Sequence, residues 1–390
     1  MTAASLISLV WSFFKLPLLR PNKPCYEQAH TESSDGYDLH VIEFDDQGMG
    51  FHREEALNGL MDSLAESQAK KETPIIVVFV HGWKHNALDD DGNLVSFQEL
   101  LAHTAAAGTP NRPVVGVYLS WRGLSRYGNF FWLQSSFWSR QKAAERIAQG
   151  SPREVLGRLK AFRNGEPGGP PQATLVIVGH SFGGLIVYTA IAQSLIESAA
   201  SPEQKTPSFG DLVILVNPAF SAISYLPIWT IVQSKKFDGN QLPVCVSVTA
   251  TNDWATGIAY PIGSFLRLIN ERFRGCKEGT ALTHTMGHLA WMRTHTLELA
   301  SPSDSNDAAT ANSPGEIVTR RALAHAALLA ISNGETQTFG GVRVVPAENV
   351  SPSPFWVASA PPTIIDGHNG IFKPSFIAFA RGLIGAHISK

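Results

Sequence analysis

The chain has few cysteines, few charges and no basic run. Three cysteines stand in 390 residues, Cys25, Cys245 and Cys276. Their odd number and the lack of Cys-x-x-Cys spacing argue against both a disulfide framework and a zinc site. Cys245 falls inside an apolar run and reads as a small core residue. The redox compartment leans to reducing. Asp, Glu, Lys and Arg make up 16% of the chain and the net charge is −2. A phosphate-binding face needs clustered Lys and Arg, so no nucleic-acid partner is expected. Internal repeats are absent. Nothing requires a metal or organic cofactor. His284 and His288 stand four apart, but the glutamate that zinc proteases carry between them is missing.

The amino terminus lacks a basic leader, although residues 3–19 are largely apolar. That argues against a secretory signal. Lys15 and Pro17 interrupt the run, and a spanning helix wants about 18 apolar residues. Trp11, Phe13 and Phe14 beside Lys15 and Arg20 would suit an interfacial helix, hence peripheral membrane contact through residues 3–19. An arm packed on the domain fits equally well. The expected location is cytoplasmic or membrane-associated.

What is plentiful is apolar sequence, 44% of the chain. Residues 75–80, 114–119, 174–178, 212–216, 244–248 and 355–358 are largely apolar runs of the kind found in strands covered on both faces. Residues 37–44 mostly alternate and read as an earlier strand. Helical patterns lie between most of these, near 54–70, 94–107, 137–148, 152–162 and 185–199. Strands alternating with helices give an α/β fold with a mostly parallel sheet and helices on both faces. Residues 1–30 read as the arm, and 31–390 as one domain. A helical or loop insertion at about 254–350 precedes the last strand. Its small polar tract at 301–314 is expected to be mobile.

The most informative run is Gly179-His180-Ser181-Phe182-Gly183. It closes a strand and opens a helix. Gly-x-Ser-x-Gly alone is a weak signal in a chain with 33 glycines, but the strand–turn–helix context makes it specific. Such a turn strains its central residue and pushes the side chain above the sheet, which predicts an exposed nucleophile at Ser181.

A serine hydroxyl needs a base, and the base needs an orienting carboxylate. In such folds the chain order is Ser, acid, His. Asp253 is the first carboxylate beyond the strand at 244–248. Its bland reading is a helix cap. Asp211 competes but precedes a strand, at the wrong end of the sheet. His368, after the last strand, is the expected base, with His288 or His295 as fallback. His284 is read with them as structural. Backbone N–H groups of Phe182 and Trp83 are the expected oxyanion donors. His81, Gly82 and His180 are supporting residues, His81 as a brace for its loop.

These residues carry a resemblance. With Glu43-Phe44-Asp45-Asp46-Gln47-Gly48, the run 79–87, Ser120-Trp121-Arg122-Gly123, the run 216–220 and Asp366-Gly367-His368-Asn369, the chain resembles the α/β-hydrolase superfamily, and within it a bacterial branch of serine esterase-like proteins. The likeness covers about residues 35–260 and 350–388. It implies the α/β-hydrolase fold and a Ser–Asp–His triad, here Ser181, Asp253 and His368. The expected activity is cleavage of carboxylic esters of small molecules or lipids through an acyl-enzyme. Aromatic residues at 130–138 and the apolar run 222–232 would form a lid and acyl pocket, or simply pack. A thioesterase, a phospholipase A, or a catalytically silent membrane-associated scaffold would share these features. The sequence does not set the oligomeric state.

Overall fold

The computed structural model describes residues 23–34, 36–106, 112–124, 130–265, 272–301, 314–348 and 351–388. For residues 130–136, 265 and 314–317 it describes the backbone alone. The apolar run at 3–19 lies outside the described residues, as do residues 302–313 of the polar tract and the side chains of Phe130, Phe131 and Trp132.

Eleven strands are described: β1 (His30–Ser34), β2 (Tyr37–Phe44), β3 (Ile75–Val80), β4 (Val114–Trp121), β5 (Thr174–His180), β6 (Leu212–Val216), β7 (Cys245–Ala250), β8 (His295–Leu299), β9 (Gln337–Phe339), β10 (Val342–Pro346) and β11 (Phe355–Ala360). The α-helices among the described residues are α1 (Arg53–Ala69), α2 (Gly92–Ala106), α3 (Phe130–Ile147), α4 (Ser151–Asn164), α5 (Phe182–Ala200), α6 (Leu226–Ser234), α7 (Tyr260–Phe265), α8 (Cys276–Thr283), α9 (Pro314–Ser332) and α10 (Pro374–Ile388).

All strands join one sheet in the order β1-β2-β4-β3-β5-β6-β7-β11-β8-β10-β9. From β2 to β8 every neighbouring pair is parallel. Antiparallel strands finish both edges. The apolar runs form strands because both faces are covered. In β3, Ile76, Val78 and Val80 join a core with residues of α1, α3, α4, α5 and α6. The alternate residues Ile75, Val77 and Phe79 join a second core with α2, α9 and α10. Each large side chain so buried contributes roughly 1.5–3 kcal/mol. Within α1, Leu57, Leu60 and Leu64 lie three and four apart, which turns one stripe inward. α5 is apolar enough to cross a membrane by composition, but more than half of it is buried in the first core.

One expectation needs correcting. The stretch after Asp253 is more than a helical or loop insertion. It supplies β8, β9 and β10 and so completes one edge of the sheet. These strands are short and half-exposed, with the burial of an edge rather than a centre.

The fold sets the site by simple register. β5, β6, β7 and β11 are consecutive parallel neighbours. Ser181, Asn217 and Asp253 follow the carboxyl ends of the first three, and His368 lies in the turn beyond the fourth. Ligands of open parallel sheets bind at this end.

Candidate active site

β5 ends at His180 and α5 begins at Phe182, leaving Ser181 alone in the turn with φ 56° and ψ −119°. A non-glycine residue held there costs roughly 1–3 kcal/mol, so the surroundings must impose it. They do so through the backbone. The Ser181 N–H donates to the Val216 carbonyl at 3.0 Å, and its carbonyl accepts from Ala219 at 3.1 Å. Gly183 admits β3 so closely that a Cβ there would stand 1.9 Å from the Val80 carbonyl oxygen.

The expected exposure of Ser181 is not observed: the residue is 0% exposed. The turn does lift the side chain off the sheet, but the loop after β3 lies directly on it. A Cβ on Gly82 would be 2.7 Å from the Ser181 Cβ. The hydroxyl itself is taken by a histidine. Ser181 Oγ donates to His368 Nε2 at 2.7 Å, and His368 Nδ1 donates to Asp253 Oδ2 at 2.8 Å. These two bonds join residues 187 and 115 positions apart.

Asp253 caps the turn that follows it and also bonds to His368. Its Oδ1 accepts the N–H groups of Ala255 at 2.9 Å and Thr256 at 3.2 Å. Its Oδ2 accepts the Thr256 hydroxyl besides His368. Its side chain is fully buried. Burial pushes the carboxyl up, but the bonds from His368 and Thr256 outweigh that and hold it below the usual carboxylate range. An ionised acceptor with every partner a donor fits that balance.

The His368 turn is fastened from below. Its carbonyl accepts His180 Nε2–H at 2.9 Å and Asn217 Nδ2–H at 2.9 Å. The Asn217 side chain also reaches the Gly367 carbonyl, and its Oδ1 accepts the Ala250 N–H at 2.8 Å. Asn252 closes the clamp: its Nδ2 donates to Asp366 at 2.9 Å, and its Oδ1 accepts the Gly367 N–H at 2.9 Å. His180 is buried, and burial first, then the neighbouring His368, drives its pKa well below the usual value.

His81 bonds within and across its loop. Its Nδ1 donates to the Gly82 carbonyl at 2.9 Å, and its Nε2 accepts the Trp121 N–H at 3.1 Å. It stacks on Trp121 at 5.8 Å and is held neutral by burial, its pKa down to about 4. Trp83 follows in the same loop. Phe182 is the first residue of α5, where a helix N–H has no carbonyl four residues back. Phe137 joins them, 5.4 Å from Trp83 and 4.8 Å from Phe182 between ring centroids. In α6, from the run 222–232, Ile228 and Val232 are buried in the core.

The competing candidates are engaged elsewhere. Asp211 holds Arg163 and the Leu175 N–H at the opposite end of the sheet. His295 lies tilted against Trp356, ring centroids 4.3 Å apart, and His284 shares its Nδ1 with Thr283 and the Thr280 carbonyl. His288 lies on the far side of Asp253, 2.9 Å from Thr256 Oγ1. Sequence reasoning missed Thr256 and Asn252 and gave Asn217 no role. A partial signal existed for Thr256, since a capping aspartate accepts the backbone N–H two or three residues on. None existed for the asparagines, whose partners in the His368 turn lie more than 100 positions away.

A family model described as "Alpha/beta hydrolase family" matches residues 77–306. No curated protein matches the chain. Among solved structures, it is similar to the phospholipase PlaB from Legionella pneumophila in complex with thio-NAD, at 17% identity and a TM-score of 0.26. That match covers 58% of this chain and 45% of the other, and likeness at that level carries no argument. The family match spans more than half of the sequence: the chain belongs to the alpha/beta hydrolase family.

Proposed function

We propose that this family member is a serine hydrolase that cleaves carboxylic esters through an acyl-enzyme. One observation carries the reading: the hydrogen-bonded series Ser181, His368, Asp253 at the carboxyl ends of neighbouring strands, with bonds of 2.7 and 2.8 Å. Ser181 Oγ attacks the substrate carbonyl while His368 Nε2 takes its proton. Asp253 keeps the other ring nitrogen protonated and steadies the imidazolium. The oxyanion forms against the N–H groups of Phe182 and Trp83, each such donor supplying roughly 3–4 kcal/mol. The tetrahedral adduct collapses, His368 returns the proton to the departing alkoxide, and the acyl group stays on Ser181. Water, deprotonated by His368, then repeats the sequence and frees the acid. Because Ser181 is fully buried, substrate reaches it only when part of its cover moves.

Within esters, one feature favours a lipid. Residues 254–265 contain no charge. Trp254, Ile258 and Ile262, spaced four apart on this stretch, are 57%, 49% and 65% exposed. An apolar outer face beside the site suits an apolar substrate. A thioester or phospholipid remains within reach of the same chemistry.

Labelling with a fluorophosphonate probe tests the assignment. The wild type is expected to label and Ser181→Ala not at all. Equal labelling of the two sinks it. A p-nitrophenyl ester series of increasing chain length then reads substrate preference, with the longer chains favoured.

A further inference from the structure

We propose that Thr256 and His288 form a positioning relay that holds the Asp253 carboxylate toward His368. This rests on the hydrolase reading above and deepens it. Neither residue touches a reacting atom.

The hydrogen bonds give the relay a direction. Asp253 is held ionised, so it only accepts. The single Thr256 hydroxyl proton therefore goes to Asp253 Oδ2, the oxygen that also takes His368 Nδ1–H. Thr256 Oγ1 must then accept from His288 Nε2, 2.9 Å away, so His288 carries its proton there. The series runs His288 N–H, Thr256 O–H, Asp253, His368 N–H. Each donor polarises the next. Thr256 also gives its backbone N–H to Oδ1. One residue thus clamps both carboxylate oxygens and stops the group from rotating. His288 in turn stops the hydroxyl from swinging away.

The local chain is built around this contact. The turn just after Asp253 is a π-helix, Ala255–Ala259, with Thr256 fully buried on its inner side. Gly257 lies under the imidazole: a Cβ there would stand 2.9 Å from His288 Cε1. On the other side, a Cβ on Gly287 would stand 2.0 Å from Thr249 Oγ1. Two close approaches therefore press His288 between the π-helix and the end of β7. π-turns of this kind recur at functional sites. The charged and titratable neighbours of His288 are Asp253, Arg293, His284 and His368. Burial first, then Arg293, His284 and His368, lower its pKa against the pull of Asp253.

The test uses the full chain and a soluble p-nitrophenyl ester. Thr256→Val keeps the shape and removes the hydroxyl. It is expected to lower kcat about 30-fold with KM within about twofold, since ground-state binding does not involve Asp253. Thr256→Ser restores the hydroxyl and should recover kcat to within about threefold of wild type. His288→Phe should lower kcat about 10-fold, and His288→Gln, which keeps a donor, should recover most of it. Thermal melts confirm folding. Serine rescuing no better than valine would make the loss one of packing and overturn the relay, as would unchanged kcat in Thr256→Val. Loss of labelling in His288→Phe as complete as in Ser181→Ala would make His288 the base, which also overturns it. If the wild type itself neither labels nor turns over ester, the hydrolase reading fails. If it does both and these variants match it, only the relay fails.

Discussion

The nucleophile and the acid–base pair are held by different means. Ser181 is placed by its own backbone, between a strand that ends one residue before it and a helix that starts one residue after. Its supports are main-chain bonds and close contacts of main chain with main chain. His368 and Asp253 are placed by side chains. His180, Asn217, Asn252 and Thr256 supply the bonds, from the ends of β5 and β6 and from the stretch after β7. A backbone-held group tolerates the loss of any one polar side chain but no added atom. A side-chain-held group tolerates added volume better than the loss of a donor. The two halves of one site should therefore fail under different mutations.

The largest effect is expected from one added carbon on the backbone-held side. In Gly183→Ala the new Cβ meets the Val80 carbonyl oxygen at 1.9 Å, and neither partner is a side chain that can rotate away. The loss of stability should be at least about 3 kcal/mol, the upper part of the overpacking range. Thermal melting and soluble yield measure it. A melting temperature within a few degrees of wild type would mean that the elbow is not set by close backbone packing, and the contrast would break.

Next comes a deletion on the side-chain-held side. Asn217→Ala removes the bonds to the Gly367 and His368 carbonyls and to the Ala250 N–H. Buried groups left unpaired cost about 1–3 kcal/mol. Asn217 also sits at φ 45°, which alanine adopts less readily than asparagine. The larger consequence should be kinetic: a shift of the His368 turn by about 1 Å would cost up to about 100-fold in kcat. Fluorophosphonate labelling rate and urea unfolding separate the two. A variant that is destabilised but labels at the wild-type rate would show that the clamp serves folding alone.

The same contrast explains what was legible in the sequence. The elbow is local, so one continuous stretch, residues 173–195, displays it: a β-branched run, two flanking glycines and a helical stripe. The parallel strands were legible for a related reason, since burial on both faces writes a continuous apolar run. Asp253 and His368 were reachable through chain order and strand ends. Their supports were not, because an asparagine bonded to a carbonyl 151 positions away leaves no pattern in its neighbours. The edge strands β8, β9 and β10 escaped for want of burial. His295-Thr296-Leu297-Glu298-Leu299 has one fully buried hydrophobic residue, Leu297, and a half-buried edge carries too little apolar signal to separate from loop. The exposure of Ser181 was misjudged because the covering loop, at Gly82, lies 99 residues away in sequence and nowhere marks its contact.

The smallest expected effect uses pH to sharpen the comparison. Supports of the acid–base side and of the sheet edge beyond it include histidines held neutral by burial. His180 is driven well below its usual value, His288 is lowered, and His295 is pushed down to about 3. The unfolded chain binds a proton at each near pH 6.5, whereas the folded chain takes it up only at lower pH. Stability from these groups is therefore full above about pH 6.5 and is lost as the pH falls toward the folded values. Asp253 adds to the loss at lower pH still, because its depressed carboxyl stabilises the fold only above the ordinary range near 3.9. The elbow's own main-chain bonds do not titrate. His295→Phe keeps an aromatic ring against Trp356 and removes the titrating group, so its melting temperature should fall less steeply than that of the wild type between pH 6.5 and about 4. The difference in slope is expected to be modest, since one of several such histidines has gone. Parallel curves for the two proteins would mean that His295 is protonated in the fold, and that acid weakens the molecule from some other point than this edge.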